Sequence, residues 1–175
     1  MWQKLLIIAF LFYIFALLQN SFFGQFNLFG AVPNLVFALF FMLVFFENDR
    51  DVILRNYKVI FFAAVAGIFL DIFSYAYLGI SIVLLIIIGF MLKKTQLLLK
   101  NKEDRYPFVY FLPLFLFFYL FYTLLYGICL SLLDAHRIAI NINSEIFFSL
   151  IYNLLFASVF FQIYKKFFMK DIKHG

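Results

Sequence analysis

The feature that most constrains the fold is a series of long apolar segments separated by short polar or charged stretches. A helix needs about 20 mostly apolar residues to cross the hydrocarbon core of a bilayer. Apolar residues make up 67% of the chain and charged residues 13%, which excludes an ordinary soluble domain. We therefore expect an all-α polytopic membrane protein in which residues 1–175 form a single membrane domain. The predicted bundle has about six transmembrane helices, at residues 5–23, 33–46, 59–75, 78–92, 108–133 and 145–164.

Polar stretches mark the ends of these spans. Residues 93–107 form a predicted cytoplasmic linker, and residues 165–175 form a predicted cytoplasmic tail. The second span is short, and Pro33 suits its first turn because the missing N–H of proline would have no partner there. Phe is unusually frequent, at 30 of 175 residues, and we interpret it as lipid-facing filler rather than as part of an aromatic binding site.

The distribution of Lys and Arg predicts the orientation, because positive residues are retained on the cytoplasmic side of a membrane. With six spans and a cytoplasmic N-terminus, thirteen of the fourteen Lys and Arg residues fall on the cytoplasmic side, and only Arg137 falls outside. Both termini are therefore predicted to be cytoplasmic. The basic residues cluster beside apolar segments, so the net charge of +5 indicates orientation in the membrane and predicts no nucleic-acid partner.

Few residues in the chain are suited to catalysis or metal binding. No two histidines have metal-ligand spacing on one helix face, and the sequence contains no glycine-rich phosphate loop and no nucleophile elbow. The single Cys129 lies in an apolar run, so it predicts neither a disulfide framework nor a cysteine metal site. We expect a protein that is not an enzyme and has no metal and no cofactor. The titratable residues near the spans are Asp71, Asp134, His136 and Glu145, all toward the predicted outer face.

The third span carries the most informative pattern. Ala63 and Gly67 form a small-x-x-x-small pair that lets a second helix approach closely, and Asp71 and Ser74 continue the same helical face. An ionised Asp in the apolar zone costs about 2.5 to 3.5 kcal/mol, so Asp71 is expected to face the bundle interior or to reach the interface. Capping of the tight turn before Gly79 is the alternative role for Asp71.

Two further stripes are predicted to pack within the bundle. The sixth span has polar and small residues spaced four apart, which favours hydrogen bonds between helices of the same molecule. The fifth span has a tyrosine stripe, for which packing is favoured over a ligand cavity. These residues are Glu145, Ser149, Asn153 and Ala157 in the sixth span, and Tyr119, Tyr122 and Tyr126 in the fifth.

The run at residues 28–35, which contains Pro33 and Asn34, resembles the Pro-Asp-Leu entry to the second span of the MreD family of rod shape-determining proteins, with Asn34 where Asp is usual. Residues 67–74, followed by residues 78–81 and 88–90, resemble the glycine-Asp-glycine pattern of that family. The helical face of the third span and these two stretches together give the candidate residues for helix packing or partner interaction: Pro33, Asn34, Ala63, Gly67, Asp71, Ser74 and Gly79.

Membership of this family implies a noncatalytic component of the bacterial cell-elongation machinery in the cytoplasmic (inner) membrane. The implied partners are membrane lipid, the bitopic protein MreC and other cell-elongation proteins, and a homo-oligomer is left open. The implied role is to help position peptidoglycan synthesis.

The alternative is a substrate-binding membrane subunit of an energy-coupling vitamin transporter, which has a similar size and a related six-helix fold. That family usually carries an Ala-x-x-x-Ala face in its first span for docking the coupling subunit. Here Ala9 and Ala16 are seven residues apart. The outer loops are also poor in polar groups that would hold a vitamin.

Overall fold

The computed structural model describes residues 2–26, 30–47, 51–74, 77–103, 107–133 and 144–168. The predicted outer loop that contains Asp134, His136 and Arg137 lies outside the described residues, as does the tail beyond residue 168. The elements are α1 (Trp2–Leu17), a π-helical turn (Leu18–Phe22), α2 (Phe23–Gln25), α3 (Leu35–Phe46), α4 (Val52–Phe73), α5 (Ile80–Glu103), α6 (Pro107–Leu133) and α7 (Ser144–Phe168).

Five helical segments in the described part of the chain are long and apolar enough to cross a membrane. The protein is therefore an all-α polytopic membrane protein, as the sequence predicts. The exception in length is α3, whose 12 residues span only about 18 Å at the usual helical rise. The hydrocarbon core is about 30 Å thick, so α3 is too short to cross it, and any end that lies within the core needs partners for its backbone groups inside the protein.

Contacts near the helix ends show that consecutive helices of the bundle, including the short α3, run in opposite directions. We call one end of the bundle the Lys93 end, where the structure brings together Glu47, Lys58 and Lys93. We call the opposite end the Asp71 end, where it brings together Gln19, Asn34, Asp71, Ser81 and Asn153. Among the described residues, the basic side chains that the sequence analysis assigns to the cytoplasmic side lie toward the Lys93 end: Arg55, Lys58, Lys93, Lys94, Lys165 and Lys166.

Helix α3 forms the centre of the core, and nine of its 12 residues are buried. Phe37 and Phe41 pack edge-on against Phe115 of α6, with ring centroids 5.8 and 5.2 Å away. At the Lys93 end, Phe46 stacks on Tyr164 of α7 with centroids 3.9 Å apart. Edge-to-face and offset pairs of this kind add to the stabilisation that burial provides.

Many phenylalanines are buried in the core, and for these residues the interpretation of Phe as lipid-facing filler is wrong. Seven of the largest fully buried side chains are phenylalanines, because a central helix enclosed on all sides leaves space that large aromatic rings fill. They are Phe12, Phe37, Phe40, Phe41, Phe111, Phe115 and Phe118. Other phenylalanines do face outward, including Phe10 and Phe117.

Two helices extend well beyond their predicted spans. Helix α4 begins at Val52 rather than near residue 59, and α5 continues to Glu103, through most of the predicted linker. Charged residues mark the membrane surface, but they do not end a helix, and Lys, Gln and Leu are good helix formers. No Gly or Pro occurs between Gly89 and Pro107, so nothing in the local sequence stops α5 at Lys93.

Candidate functional site

Asp71 lies in the last turn of α4 and is 1% exposed. One oxygen of its carboxylate accepts the Gly79 N–H at 2.6 Å, and the other accepts the Ser81 N–H at 3.1 Å. The first N–H groups of a helix have no partners within that helix, and an acidic group near them is stabilising. A side chain of α4 therefore caps the first turn of α5.

The turn between α4 and α5 has the backbone conformation that this cap requires. Gly79 has a φ of 106°, which lies in the region that favours glycine. Ser74 ends α4, and its backbone N–H donates to Leu70 O at 3.0 Å. The structure thus places Asp71 and Gly79 in direct contact, which is the turn-capping alternative from the sequence.

Gly67 lies at a close approach between α4 and α5. A Cβ atom on Gly67 would be 2.6 Å from both Cα and N of Ile82, which is too close for any side chain. Ala63, one turn earlier, is fully buried. Further along the same helix pair, a Cβ atom on Gly89 would be 2.6 Å from a methyl group of Val59. Small residues on both helices therefore allow the two backbones to pack together.

Ser74 occupies a different position from the other members of the predicted face. It is exposed at the end of α4, where its hydroxyl lies 3.3 Å from Asp71 O and 3.3 Å from the Tyr126 hydroxyl. The helical face predicted for the third span, which is α4, is therefore buried at Ala63, Gly67 and Asp71, and it reaches the surface at Ser74.

The tyrosine stripe of α6 forms hydrogen bonds to three other parts of the bundle. Each hydroxyl group lies close to a serine hydroxyl: Tyr119 to Ser149 of α7 at 2.8 Å, Tyr122 to Ser81 of α5 at 3.0 Å, and Tyr126 to Ser74 at 3.3 Å. Packing between helices, which the sequence favours for this stripe, is thus observed. Two of the three tyrosines, Tyr122 and Tyr126, also line a cavity.

Three side chains satisfy the start of α3: that of its own cap residue and two from other elements. Asn34 caps the helix, because its side-chain oxygen accepts the Phe37 N–H at 2.9 Å. The Asn34 N–H in turn donates to the Asn153 side chain of α7 at 2.7 Å, and the Val36 N–H donates to the Gln19 side chain at 3.4 Å. The expectation that Pro33 occupies the first helical turn is wrong, because Asn34 is the cap and Pro33 precedes it.

Side chains from α5 satisfy the other end of α3. Lys93 is 8% exposed and donates to Glu47 O, and Gln96 donates to Phe45 O at 2.8 Å. Lys58 of α4 forms an ion pair with the Glu47 side chain at 2.9 Å. Lys93 also donates to the Gln96 side chain at 3.0 Å.

Sequence reasoning missed the roles of Gln19, Ser81, Lys93 and Gln96. One available signal was the length of the second apolar segment, which is too short to cross a membrane unless other helices supply partners for its ends. The four residues lie on helices distant in sequence from the backbone groups or hydroxyls that they bind. No local pattern could therefore have identified their partners.

A cavity of about 270 Å³ lies at the Asp71 end, between the π-helical turn, the start of α3, the end of α4 and the middle of α6. Its polar lining comes from amide and hydroxyl groups, and its apolar lining is largely aromatic. Within the described ranges, no group of three or more His, Cys, Asp or Glu residues is arranged to hold a metal ion.

A model of the family described as rod shape-determining protein MreD matches residues 2–171. The chain belongs to the MreD family. The match includes α6 and α7, so it extends well past the residues 28–90 that carry the resemblance in the sequence. Comparisons with curated proteins and with solved structures give no match. The protein is thus a rod shape-determining membrane protein, and this family match favours that class over a vitamin-transporter subunit.

Proposed function

We propose that this MreD protein is a noncatalytic component of the bacterial cell-elongation complex in the inner membrane. In this role it binds an MreC-like bitopic protein and helps to position peptidoglycan synthesis. The observation that carries the proposal is the family match over residues 2–171.

The use of the buried polar groups supports a scaffold role. Asp71 accepts the backbone N–H of Gly79 in the α4–α5 turn and that of Ser81 in the first turn of α5. Asn153 joins α7 to the start of α3, and Tyr119 joins α6 to α7. These groups hold helices in fixed positions, which is what a protein needs when its task is to present a membrane-embedded surface to other proteins.

Large apolar side chains on several helices face outward and are available to lipid or to a partner helix. Phe10 of α1 is 61% exposed, Leu132 of α6 is 80% exposed, and Leu155 of α7 is 61% exposed. Because van der Waals packing drives helix association in lipid, a single-span partner or a second copy of this chain can bind on one of these faces.

Site-specific photo-crosslinking in the native host tests the proposal. A photoreactive phenylalanine analogue is placed at Phe10, Leu132 or Leu155, one position per variant, and crosslinked products are identified by mass spectrometry. We expect at least one position to capture a single-span, coiled-coil protein of the MreC type, and depletion of the chain to convert rods to rounded cells. Normal rod shape after depletion, together with the absence of that product at all three positions, would contradict the proposal.

A further inference from the structure

The cavity at the Asp71 end is bounded by elements that are far apart in sequence. Gln19 and Asn20 come from the π-helical turn, Phe69 and Phe73 from α4, and Tyr122 and Tyr126 from α6. Short π-helical segments are frequent at functional sites, because the extra residue redirects side chains. In this protein the π-helical turn places two neighbouring carboxamides on the lining of the same cavity.

The two carboxamides have complementary capacity for hydrogen bonding. The Gln19 oxygen accepts the Val36 N–H at 3.4 Å, and that bond does not use the amide nitrogen, which carries two donors. The Asn20 nitrogen donates to Ala16 O at 2.9 Å, and that bond does not use the side-chain oxygen, which is an acceptor. The pair therefore suits a ligand that has both an acceptor and a donor.

Aromatic rings from two helices form much of the remaining lining. Tyr122 and Tyr126 of α6 are stacked, with centroids 5.7 Å apart and an angle of 24° between the planes. Phe69 and Phe73 of α4 line the same cavity. Aromatic side chains favour a planar or apolar body, while the amides and hydroxyls provide polar groups on the lining.

The charge and size of the cavity restrict the ligand further. None of the described lining residues carries a charged side chain, and a charged molecule would lose hydration there without gaining an ion pair. The volume of about 270 Å³ is close to the lower limit of roughly 300 Å³ for ordinary ligand pockets. A single planar ring with one small polar substituent fits both restrictions.

We propose that this cavity is a binding site for a small neutral molecule with a planar or apolar body and with both a hydrogen-bond donor and an acceptor. Asn20 and Ser74 are exposed and lie on the lining. The ligand therefore enters from the Asp71 end of the bundle, opposite the Lys93 end. This inference does not depend on the identity of the protein partners in the cell-elongation complex.

Three probes of nearly identical shape test the inference on the purified full-length chain in detergent. Benzamide is neutral and carries both a donor and an acceptor, benzoate is its anionic counterpart, and benzamidine is its cationic counterpart. Binding is measured by ligand-observed NMR and by the shift in the unfolding temperature. We expect saturable binding of benzamide, with an affinity at least tenfold higher than that of either charged probe.

A matched pair of variants locates the binding. Thr123→Phe fills the cavity from α6, whereas Leu124→Phe adds the same side chain at the next residue, which is 53% exposed on the outside of the bundle. We expect the first variant to lose benzamide binding and the second to retain it. If Thr123→Phe does not fold, Asn20→Leu removes an acceptor from the lining and is expected to weaken benzamide binding several-fold.

Three results would overturn the inference. The first is the absence of saturable benzamide binding, and the second is equal binding of the neutral and charged probes. The third is unchanged binding in a folded Thr123→Phe variant. If Thr123→Phe instead abolishes co-purification of the partner while benzamide never binds, the cavity receives a side chain of that partner and the small-molecule site is disproved.

Discussion

At the scale of single residues, the geometry of Asp71 changes how its substitution must be interpreted. From the sequence, Asp71→Asn keeps the shape and the hydrogen-bonding ability of the side chain, so a purely structural cap should tolerate it. The structure shows that both oxygens accept backbone N–H groups, from Gly79 and from Ser81. An asparagine has only one acceptor oxygen, and its NH₂ group would face an N–H donor. A structural cap is therefore sensitive to this substitution.

We predict that Asp71→Asn lowers the free energy of unfolding by about 1–3 kcal/mol, the usual cost of leaving a buried donor without a partner. Denaturant titration in detergent micelles measures this change. Ile72→Val, at the neighbouring position, which is 51% exposed, is the control and should change stability by about 0.5 kcal/mol or less. If Asp71→Asn has normal stability but no longer recovers the MreC-like partner, the carboxylate acts in partner binding and the capping explanation fails.

At the scale of elements, two packing arrangements define the bundle. The first is the close approach of α4 and α5 at Gly67, and the second is the satisfaction of both ends of α3 by other helices. Both follow from the membrane environment. Helices associate in lipid mainly through close packing, and backbone groups at membrane depth have no water to bind.

For the first arrangement, Gly67→Ala is expected to destabilise the protein by about 1–3 kcal/mol, the usual cost of overpacking. The added methyl group would be 2.6 Å from the Ile82 backbone, so α4 and α5 must move apart. Gly24→Ala is the matched control, because the nearest atom, Gln19 O, would be 4.0 Å from its Cβ. Thermal unfolding followed by circular dichroism compares the two variants, and equal unfolding temperatures would contradict the packing argument.

For the second arrangement, Lys93→Met is expected to cost about 1–3 kcal/mol, because it removes the donor to Glu47 O, a partly buried carbonyl group at the end of α3. Lys94→Met removes the same charge from an exposed neighbour and should cost about 0.5 kcal/mol or less. Each variant removes one positive charge from the same part of α5, so a difference in stability between them reports the bond from Lys93 to α3. Similar losses in the two variants, measured by denaturant titration, would show that charge rather than the bond to α3 is responsible.

At the scale of the whole molecule, the alternating helix directions and the distribution of basic residues give one orientation. Lys58 and Lys93 lie at the same end of the bundle, and basic residues are retained in the cytoplasm. The Lys93 end is therefore predicted to be cytoplasmic and the Asp71 end external. The cavity then opens toward the outside of the cell membrane.

Reporter fusions test this orientation. A cytoplasm-active reporter placed after Gly175 should be active, and the same reporter inserted in the segment 134–143 should be inactive, whereas a periplasm-active reporter should give the reverse pattern. An external signal from the C-terminal fusion would contradict the predicted orientation, in which both termini are cytoplasmic. This result would also place the cavity on the wrong side of the membrane for an external ligand.

The sequence by itself determined the class of protein, because apolar length and charge asymmetry are properties that the bilayer selects directly. It also identified the face of Ala63, Gly67 and Asp71, since helical periodicity brings residues three and four apart onto one side. For the same reason, the four-residue spacing of Ser149, Asn153 and Ala157 predicted that these residues share one face of their helix. These features are local, so no knowledge of neighbouring helices was needed.

Only the tertiary structure decided which groups meet. The bonds from Asn153 to Asn34, from Gln19 to Val36 and from Lys93 to Glu47 join residues 119, 17 and 46 positions apart, and no periodicity specifies such pairs. The structure also showed that phenylalanines fill the core around α3 and that α5 continues past Lys93. Both depend on what surrounds a residue in the folded bundle: enclosure determines which aromatic rings are buried, and a backbone carbonyl at the end of a short helix determines which lysine is buried.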